Sequence, residues 1–231
     1  MQFFYSEKID DNFIILEGEE MVHCTKSLRK KVGDLICVID GNGGRYNCKI
    51  IDITLKTCRL SIIDKKIIEK KYQIHLFIAP TKNHKRMEWM LEKIIEIGVD
   101  RVTFLACENS IRKTINLDRL NKIALSAMKQ TQNYFLPIID SCIPFSDAFN
   151  IIDCDEKYIA HLCYGNIPLL NKSIKSSNKK CIFIGPEGDF SNNEVSYALD
   201  QGFIEVSLGK TRLRTETSGI VSVTMLNLDN E

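Results

Sequence analysis

Two glycine turns in the C-terminal third hold residue types that can do chemistry: Gly185-Pro186-Glu187-Gly188 and Leu208-Gly209-Lys210-Thr211-Arg212-Leu213-Arg214-Thr215-Glu216-Thr217. They stand one helix and one strand apart, and two turns so spaced can line one pocket. Glycine lets backbone approach a ligand closely, while Arg214 and Glu216 set a cation and a carboxylate beside the second turn. Neither turn has the form G-x-G-x-x-G or G-x-x-x-x-G-K-[ST], which disfavours a Rossmann dinucleotide site and a P-loop. A cofactor without a triphosphate suits them better. Glycine turns are also ordinary punctuation in α/β chains, so spacing alone leaves both readings open.

The elements around the turns support the first reading. Cys181-Ile182-Phe183-Ile184 is a short apolar run entering a turn, as a buried strand does. Ser191-Asn192-Asn193-Glu194 has the Ser-x-x-Glu form of a capping box, predicting a helix that ends near Gly202. Ile204 to Leu208 reads as the next strand, and Glu216 to Leu228 as a terminal helix. In parallel sheets, ligands sit beyond the carboxyl ends of strands, where both turns fall.

Upstream, the pattern divides near residue 70, at the charged run Lys65-Lys66-Ile67-Ile68-Glu69-Lys70-Lys71. Residues 1–70 carry strand-like runs at Phe3-Tyr5, Phe13-Leu16, Leu35-Asp40, Tyr46-Ile53 and Thr57-Ile63, with one helix over Glu19–Lys31. Asp40-Gly41-Asn42-Gly43-Gly44 is a hairpin signal, and the whole suggests a small closed or half-closed β-barrel. After residue 70 strands and helices alternate: Ile74-Pro80, a helix through Met87, Met90, Leu91, Ile94 and Ile95 closed by Gly98, Arg101-Leu105, a helix marked by Leu117, Leu120, Ile123, Ala124 and Ala127, and Lys157-Leu162. This rhythm predicts a mainly parallel sheet with helices on both faces.

With 231 residues, 44% hydrophobic and 26% charged, the chain has the composition of a globular protein of one large or two modest domains. The N-terminus has no basic stretch followed by a long apolar one, and no run approaches membrane-spanning length, so the expected location is cytoplasmic with no membrane partner. Nine cysteines without a C-x-x-C pair suit reduced, buried thiols, and no metal site is expected. Residues 82–133 carry ten Lys/Arg against six Asp/Glu, whereas residues 138–231 carry eight against thirteen. The basic half, and the cluster Lys26, Arg29, Lys30 and Lys31, suit phosphate contacts or simply a solvated face.

The ordered series of these motifs resembles the RsmE family of ribosomal RNA uridine N3-methyltransferases nearly end to end. It comprises Gly185-Pro186-Glu187-Gly188, Leu208-Gly209-x-x-x-Leu213-Arg214-Thr215-Glu216-Thr217 and Glu92-Lys93-Ile94-Ile95-Glu96-Ile97-Gly98-Val99. It further includes His23, Ser27-Leu28-Arg29, Gly33-Asp34 and Asp40-Gly41, then Lys82, Arg86, Glu88 and Trp89, and finally Gln130 with Pro137. The resemblance implies an α/β SPOUT-type methyltransferase domain with a C-terminal trefoil knot (71–231), preceded by a PUA-like β-barrel that binds RNA (1–70). It also implies a homodimer that uses S-adenosylmethionine to methylate N3 of a uridine, U1498 in the family, in 16S rRNA of the small ribosomal subunit.

Carried onto this chain, the resemblance makes Leu162, Cys163, Ile184, Gly185, Pro186, Glu187, Gly188, Leu208, Gly209, Leu213 and Thr217 the expected cofactor walls. Uridine N3 must lose a proton, leaving an anion spread over two carbonyls, and a cation beside those oxygens favours it. Arg214 is the candidate for that role. Glu216 or Glu187 are candidate proton acceptors, with water as a third. His23, Arg29, Lys30, Lys82, Arg86 and Trp89 are expected to contact RNA. The sequence departs from the family pattern at Asp189, where glycine is usual, and at Gln2, Asn109 and Asn133, where arginine is usual; Arg112, Lys113 and Lys129 stand near enough in sequence to compensate. Two rival functions remain at this level: a SPOUT methyltransferase acting on another RNA nucleotide, and an RNA-binding module without catalysis.

Overall fold

The computed structural model describes residues 2–162 and 167–228. By contact, the chain up to Lys70 together with Leu125–Leu136 forms one compact unit, and Lys71–Ala124 together with the chain from Pro137 onward forms the other.

In the first unit, β1 (Phe3–Tyr5), β2 (Phe13–Glu17), β3 (Leu35–Ile39), β4 (Gly44–Ile53) and β5 (Thr57–Ile67) form a curled sheet in the order β1-β3-β4-β5-β2. β1 pairs parallel to β3, and the other neighbours are antiparallel. The link between the two edge strands folds back on β2, with Ser6 Oγ donating to Ile15 O at 2.7 Å and Ile15 N to Lys8 O at 3.1 Å. The barrel is therefore half-closed. Alternation explains why β3 is apolar throughout: Ile36 and Val38 face the barrel core with Phe4, Leu16 and Leu60, whereas Cys37 and Ile39 pack against Leu125, Met128 and Leu136. A boundary at residue 70 alone does not anticipate that residues 125–136 cover this second face.

The helix expected over Glu19–Lys31 is shorter. An α-helix, α1 (Gly18–Val22), widens into a π-turn over His23–Ser27, where Leu28 N donates five residues back to His23 O at 3.0 Å. Thr25 Oγ1 donates to Met21 O, a back-bond that loosens helices. Arg29 then takes a φ of +53°, where no L-residue continues a helix.

The second unit is a six-stranded, all-parallel sheet. Its strands are β6 (Gln73–Ile78), β7 (Arg101–Ala106), β8 (Ile138–Pro144), β9 (Glu156–Ala160), β10 (Lys179–Ile184) and β11 (Ile204–Val206), in the order β11-β9-β10-β6-β7-β8. The sequence pattern did not anticipate β8. Its helices are α2 (His84–Ile97), α3 (Leu117–Thr131, whose second half belongs to the first unit), α4 (Leu170–Ser173), α5 (Asn192–Asp200) and α6 (Thr215–Leu228). One face of the sheet buries Phe77, Leu105, Ile159, Cys181 and Phe183 against the 3₁₀ turn Phe145–Asn150 and α5. α6 packs on α2, β6 and β10. Gly219 permits that approach, since a Cβ there would stand 2.8 Å from Met90 Sδ and 3.0 Å from Ile78 Cδ1. The described cysteines are all free thiols, mostly buried. No helix among the described residues is long and apolar enough to cross a membrane.

Toward the amino ends of β6, β7 and β8, a side-chain network ties the three strands. His75 Nε2 lies 2.8 Å from Thr103 Oγ1, Thr103 donates to Asp140, and Arg101 grips Asp140 with Nε at 2.7 Å and Nη2 at 3.1 Å. Burial pushes the His75 imidazole from 6.5 down to about 3, with nearby Arg101 adding to the effect and Asp140 opposing it. Burial raises Asp140, but the hydrogen bonds from Arg101 and Thr103 outweigh that and hold its carboxyl below the usual range.

The unfolded chain takes up the histidine proton near pH 6.5, and the folded chain only near 3. The unfolded state therefore holds more protons across this window, and stability falls as pH is lowered through it, by up to about 1.4 kcal/mol per pH unit. Asp140, with its depressed value, adds to the loss at the acid end. Urea unfolding across pH 3–7 is expected to show this slope in the wild type and a flatter one in His75→Gln; superimposable profiles would refute the assignment.

Candidate active site

The carboxyl ends of β9, β10 and β11, with the loops that follow them, enclose a cavity of about 410 Å³ in the second unit. Its wall includes Leu162 after β9, Ile184 at the end of β10 with Gly185, Pro186, Glu187 and Asp189 after it, Leu208, Gly209, Leu213 and Arg214 between β11 and α6, and Glu216 in the first turn of α6. The volume lies in the range that holds a small cofactor. The two turns singled out in the sequence do line one pocket.

The Gly185–Asp189 turn is held from several sides. Lys82 N, beyond β6, donates to Glu187 Oε1 at 3.2 Å. Asn109 Nδ2, beyond β7, donates to the carbonyls of Gly188 at 3.3 Å and Asp189 at 3.1 Å. Leu162 N, beyond β9, donates to Asp189 Oδ2 at 2.7 Å. Arg212 Nη2, beyond β11, donates to Glu187 O at 3.1 Å, and Thr215 Oγ1 donates to Gly185 O at 3.2 Å. Gly185 is required by closeness, because a Cβ would stand 3.1 Å from both the ring and the backbone nitrogen of Phe190. Gly209 is required by conformation, with a φ of +151°.

The capping box forms as expected. Ser191 Oγ accepts from Glu194 N at 3.2 Å, and Glu194 Oε2 accepts from Ser191 N at 2.9 Å. The other carboxylate oxygen of Glu194 accepts from Glu108 N at 2.8 Å, so the cap also fixes the loop after β7.

The charged end of the cavity is arranged differently from the simplest reading of the sequence. Arg214 is exposed at the rim and forms no ion pair with a described residue. Glu216, 5% exposed in the first turn of α6, pairs with Arg86 of α2 at 3.5 Å. Arg86, expected on the RNA side, thus belongs to the cavity wall. Its position on α2 in a charged stretch gave no sign of this.

The structure brings Arg86, Leu162, Ile184, Gly185, Pro186, Glu187, Leu208, Gly209, Leu213, Arg214 and Glu216 together. Gly188 and Thr217 do not line the cavity: Gly188 packs on the Asn109 side chain, and Thr217 lies one residue beyond the wall residue Glu216 on α6. Cys163 lies outside the described residues. Lys82 and the half-exposed Trp89 are in the same unit but off the cavity, while His23, Arg29 and Lys30 are in the first unit. His23 Nε2 lies 2.5 Å from Gln2 Nε2. The wall residues His161, Asp189, Ser207, Thr211 and Arg212 are not among the ligand contacts expected from the sequence, although all but His161 stand inside or beside the quoted motifs. Among the described residues, no cluster of three or more His, Cys, Asp or Glu is placed to hold a metal ion.

Comparison with known proteins places this geometry in a family. A model described as an RNA methyltransferase domain matches residues 68–227, and one described as an RNA methyltransferase PUA domain matches residues 16–63. The ribosomal RNA small subunit methyltransferase E of Buchnera aphidicola subsp. Acyrthosiphon pisum is 34% identical over 236 residues, covering 96% of this chain and 91% of that protein. The crystal structure of a probable rRNA-methyltransferase from Porphyromonas gingivalis is 36% identical with a TM-score of 0.91, covering 99% of this chain and 98% of that one. The ribosomal RNA small subunit methyltransferase E from Neisseria gonorrhoeae, solved bound to S-adenosyl methionine, shares the fold with a TM-score of 0.85 at 24% identity, covering 99% and 97% of the two chains. The architecture is that of a SPOUT-type, trefoil-knot α/β domain with a PUA-like β-barrel before it. The chain belongs to the RNA methyltransferase family of the ribosomal RNA small subunit methyltransferase E proteins.

Proposed function

We propose that the protein transfers a methyl group from S-adenosylmethionine to N3 of a uridine in 16S rRNA, the family target U1498, on the small ribosomal subunit. The observation that carries this reading is the cavity itself, which brings glycine turns and apolar walls together with Arg214 and Glu216. Ile184, Leu208 and Leu213 offer apolar surface for an adenine, and the turns at Gly185 and Gly209 bring backbone groups to close range. When bound, S-adenosylmethionine supplies the methyl on its sulfonium.

The residues of this chain then have separable tasks. Arg214, unpaired among the described residues and at the cavity rim, sets a guanidinium where the uracil carbonyls enter, favouring the anion formed when N3 loses its proton. Glu216 is the proposed proton acceptor, and its partner Arg86 keeps the carboxylate oriented at the cavity wall. Glu187 is spent on the amide of Lys82, which favours a holding role for it. His23, Arg29 and Lys30 of the first unit would hold RNA, as would Lys82 in the loop before α2 and Trp89 on α2 in the second unit. A homodimer fits α6, whose apolar residues are not confined to one face and which leaves Ile220, Val221 and Met225 only partly buried.

The direct assay incubates purified protein and cofactor with small subunits from cells that lack the enzyme. N3-methyluridine is expected at a single 16S position; its absence would sink the proposal, and a methyl group at a different nucleotide would favour the rival target. Arg214→Ala is expected to lower kcat by about 100-fold or more while calorimetric cofactor affinity stays near wild type. Unchanged turnover would remove Arg214 from the mechanism. Glu216→Gln is expected to cost about 100-fold in kcat at saturating substrates, the usual scale for a lost general base; a loss confined to KM would assign Glu216 to binding alone.

A further inference from the structure

We propose that Asp189 is a positioning residue that sets cofactor affinity by fastening the Leu162 wall of the cavity to the glycine turn. The inference rests on the reading of this cavity as the S-adenosylmethionine site.

The need for a fastening follows from where the sheet stops. The pairing of β9 with β10 ends at Ala160–Ile184, and with β11 at Ala160–Val206, so the ladder does not reach Leu162. Leu162 is nevertheless a wall residue, 53% exposed in this structure. One neighbour on this segment has its own contact, with His161 Nε2 lying 3.3 Å from Glu205 Oε1. The backbone of Leu162 itself is held by the Asp189 carboxylate, whose Oδ2 accepts from Leu162 N at 2.7 Å.

Asp189 is itself fixed, and so can act as an anchor. Its second oxygen, Oδ1, accepts from Phe190 N at 2.8 Å. Its own N–H donates to Pro186 O at 2.9 Å, closing the turn, and its carbonyl accepts from Asn109 Nδ2 at 3.1 Å. Its φ of +64° lies in the left-handed region, which Asp and Asn tolerate better than other side chains and Gly adopts freely. Two N–H groups converge on this side chain, each on a different oxygen. A carboxylate has both, the amide of Asn has one, and Gly has neither.

A wall held in its binding position before the ligand arrives spares the cost of ordering it on binding. Arg214, just before α6, and Glu216, in its first turn, form no hydrogen bond or ion pair with Asp189. The fastening therefore acts on the affinity for the cofactor and not on the step that follows.

The test uses the full chain as wild type, Asp189→Asn and Asp189→Gly, both of which tolerate the left-handed turn. Calorimetric titration with S-adenosylmethionine, steady-state kinetics on small subunits and amide exchange at Leu162 are measured together. The expected result is a Kd raised about tenfold in Asp189→Gly and by less in Asp189→Asn, the scale of a lost charge-assisted hydrogen bond. The cofactor KM rises in step, kcat at saturation stays within about twofold of wild type, and the Leu162 amide exchanges faster while those of β10 do not. A Kd unchanged in both variants, or a kcat that falls as steeply as kcat/KM, overturns the inference. Should Asp189→Gly fail to fold, Asp189→Asn alone decides on the same criteria. Absence of cofactor binding by the wild type would overturn the reading of the cavity and this inference with it, whereas wild-type binding with unaltered variants overturns only the inference.

Discussion

The carboxyl end of the parallel sheet depends on one short turn, Gly185–Asp189, because the loops after β6, β7, β9 and β11 are each hydrogen-bonded to it. Strand pairing positions backbone only as far as the last ladder bond; beyond that, loops need other partners. Here the partners are the carbonyls and two acidic side chains of a single turn on the central strand β10. A residue with a Cβ at position 185 would meet Phe190 at 3.1 Å, so the turn packs closely on the segment that leads into α5. Cavity shape and loop order are thereby one property.

The charged end of the cavity obeys a second constraint, the close packing of α6. Gly219 lets this helix approach Met90 of α2 and Ile78 of β6. That approach carries the first turn of α6 down to the cavity floor, where Thr215 bonds Gly185 O and Glu216 meets Arg86. A carboxylate only 5% exposed is costly without a partner. Arg86 supplies one from α2, the very helix against which Gly219 packs. The apolar contact and the ion pair therefore position the same helix end, and Arg214, one residue before α6, is left facing the rim.

Much of this was legible from residue types. The capping box at Ser191 and Glu194, the hairpin at Asp40–Gly44 and the pairing of the two glycine turns all depend on local chemistry, and the structure shows each of them. What stayed hidden depends on contacts far apart in the chain. β8 is not legible because Asp140 and Ser141 interrupt the apolar run of Ile138–Pro144, which lies at an edge of the sheet and gains its pairing only from β7. The widened turn at His23–Ser27 is a local exception, a five-residue backbone bond beside the Thr25 back-bond within an otherwise helical pattern. Arg86 looked like a surface cation until its partner, 130 positions along the chain, came beside it. Asp189 is the most instructive case. It departs from the glycine of the family pattern, yet the position has the left-handed φ that aspartate tolerates, and its carboxylate has two amides to bind.

The two ends of the same sheet thus solve one problem by opposite means. At the amino end, His75, Thr103, Asp140 and Arg101 lock β6, β7 and β8 through side chains alone, with a neutral imidazole buried against Phe77. Such a network is rigid but leaves no cavity, since its polar groups satisfy one another. At the carboxyl end most ties run between a side chain and a backbone group, so the turn is held from behind while the inner faces of Gly185 and Gly209 stay open. Backbone donors and acceptors not consumed by those ties are what a ligand can use. The arrangement requires acceptors on the turn itself, and Glu187 and Asp189 meet that requirement, which explains why acidic side chains line a cavity that also holds Arg214 and Arg86.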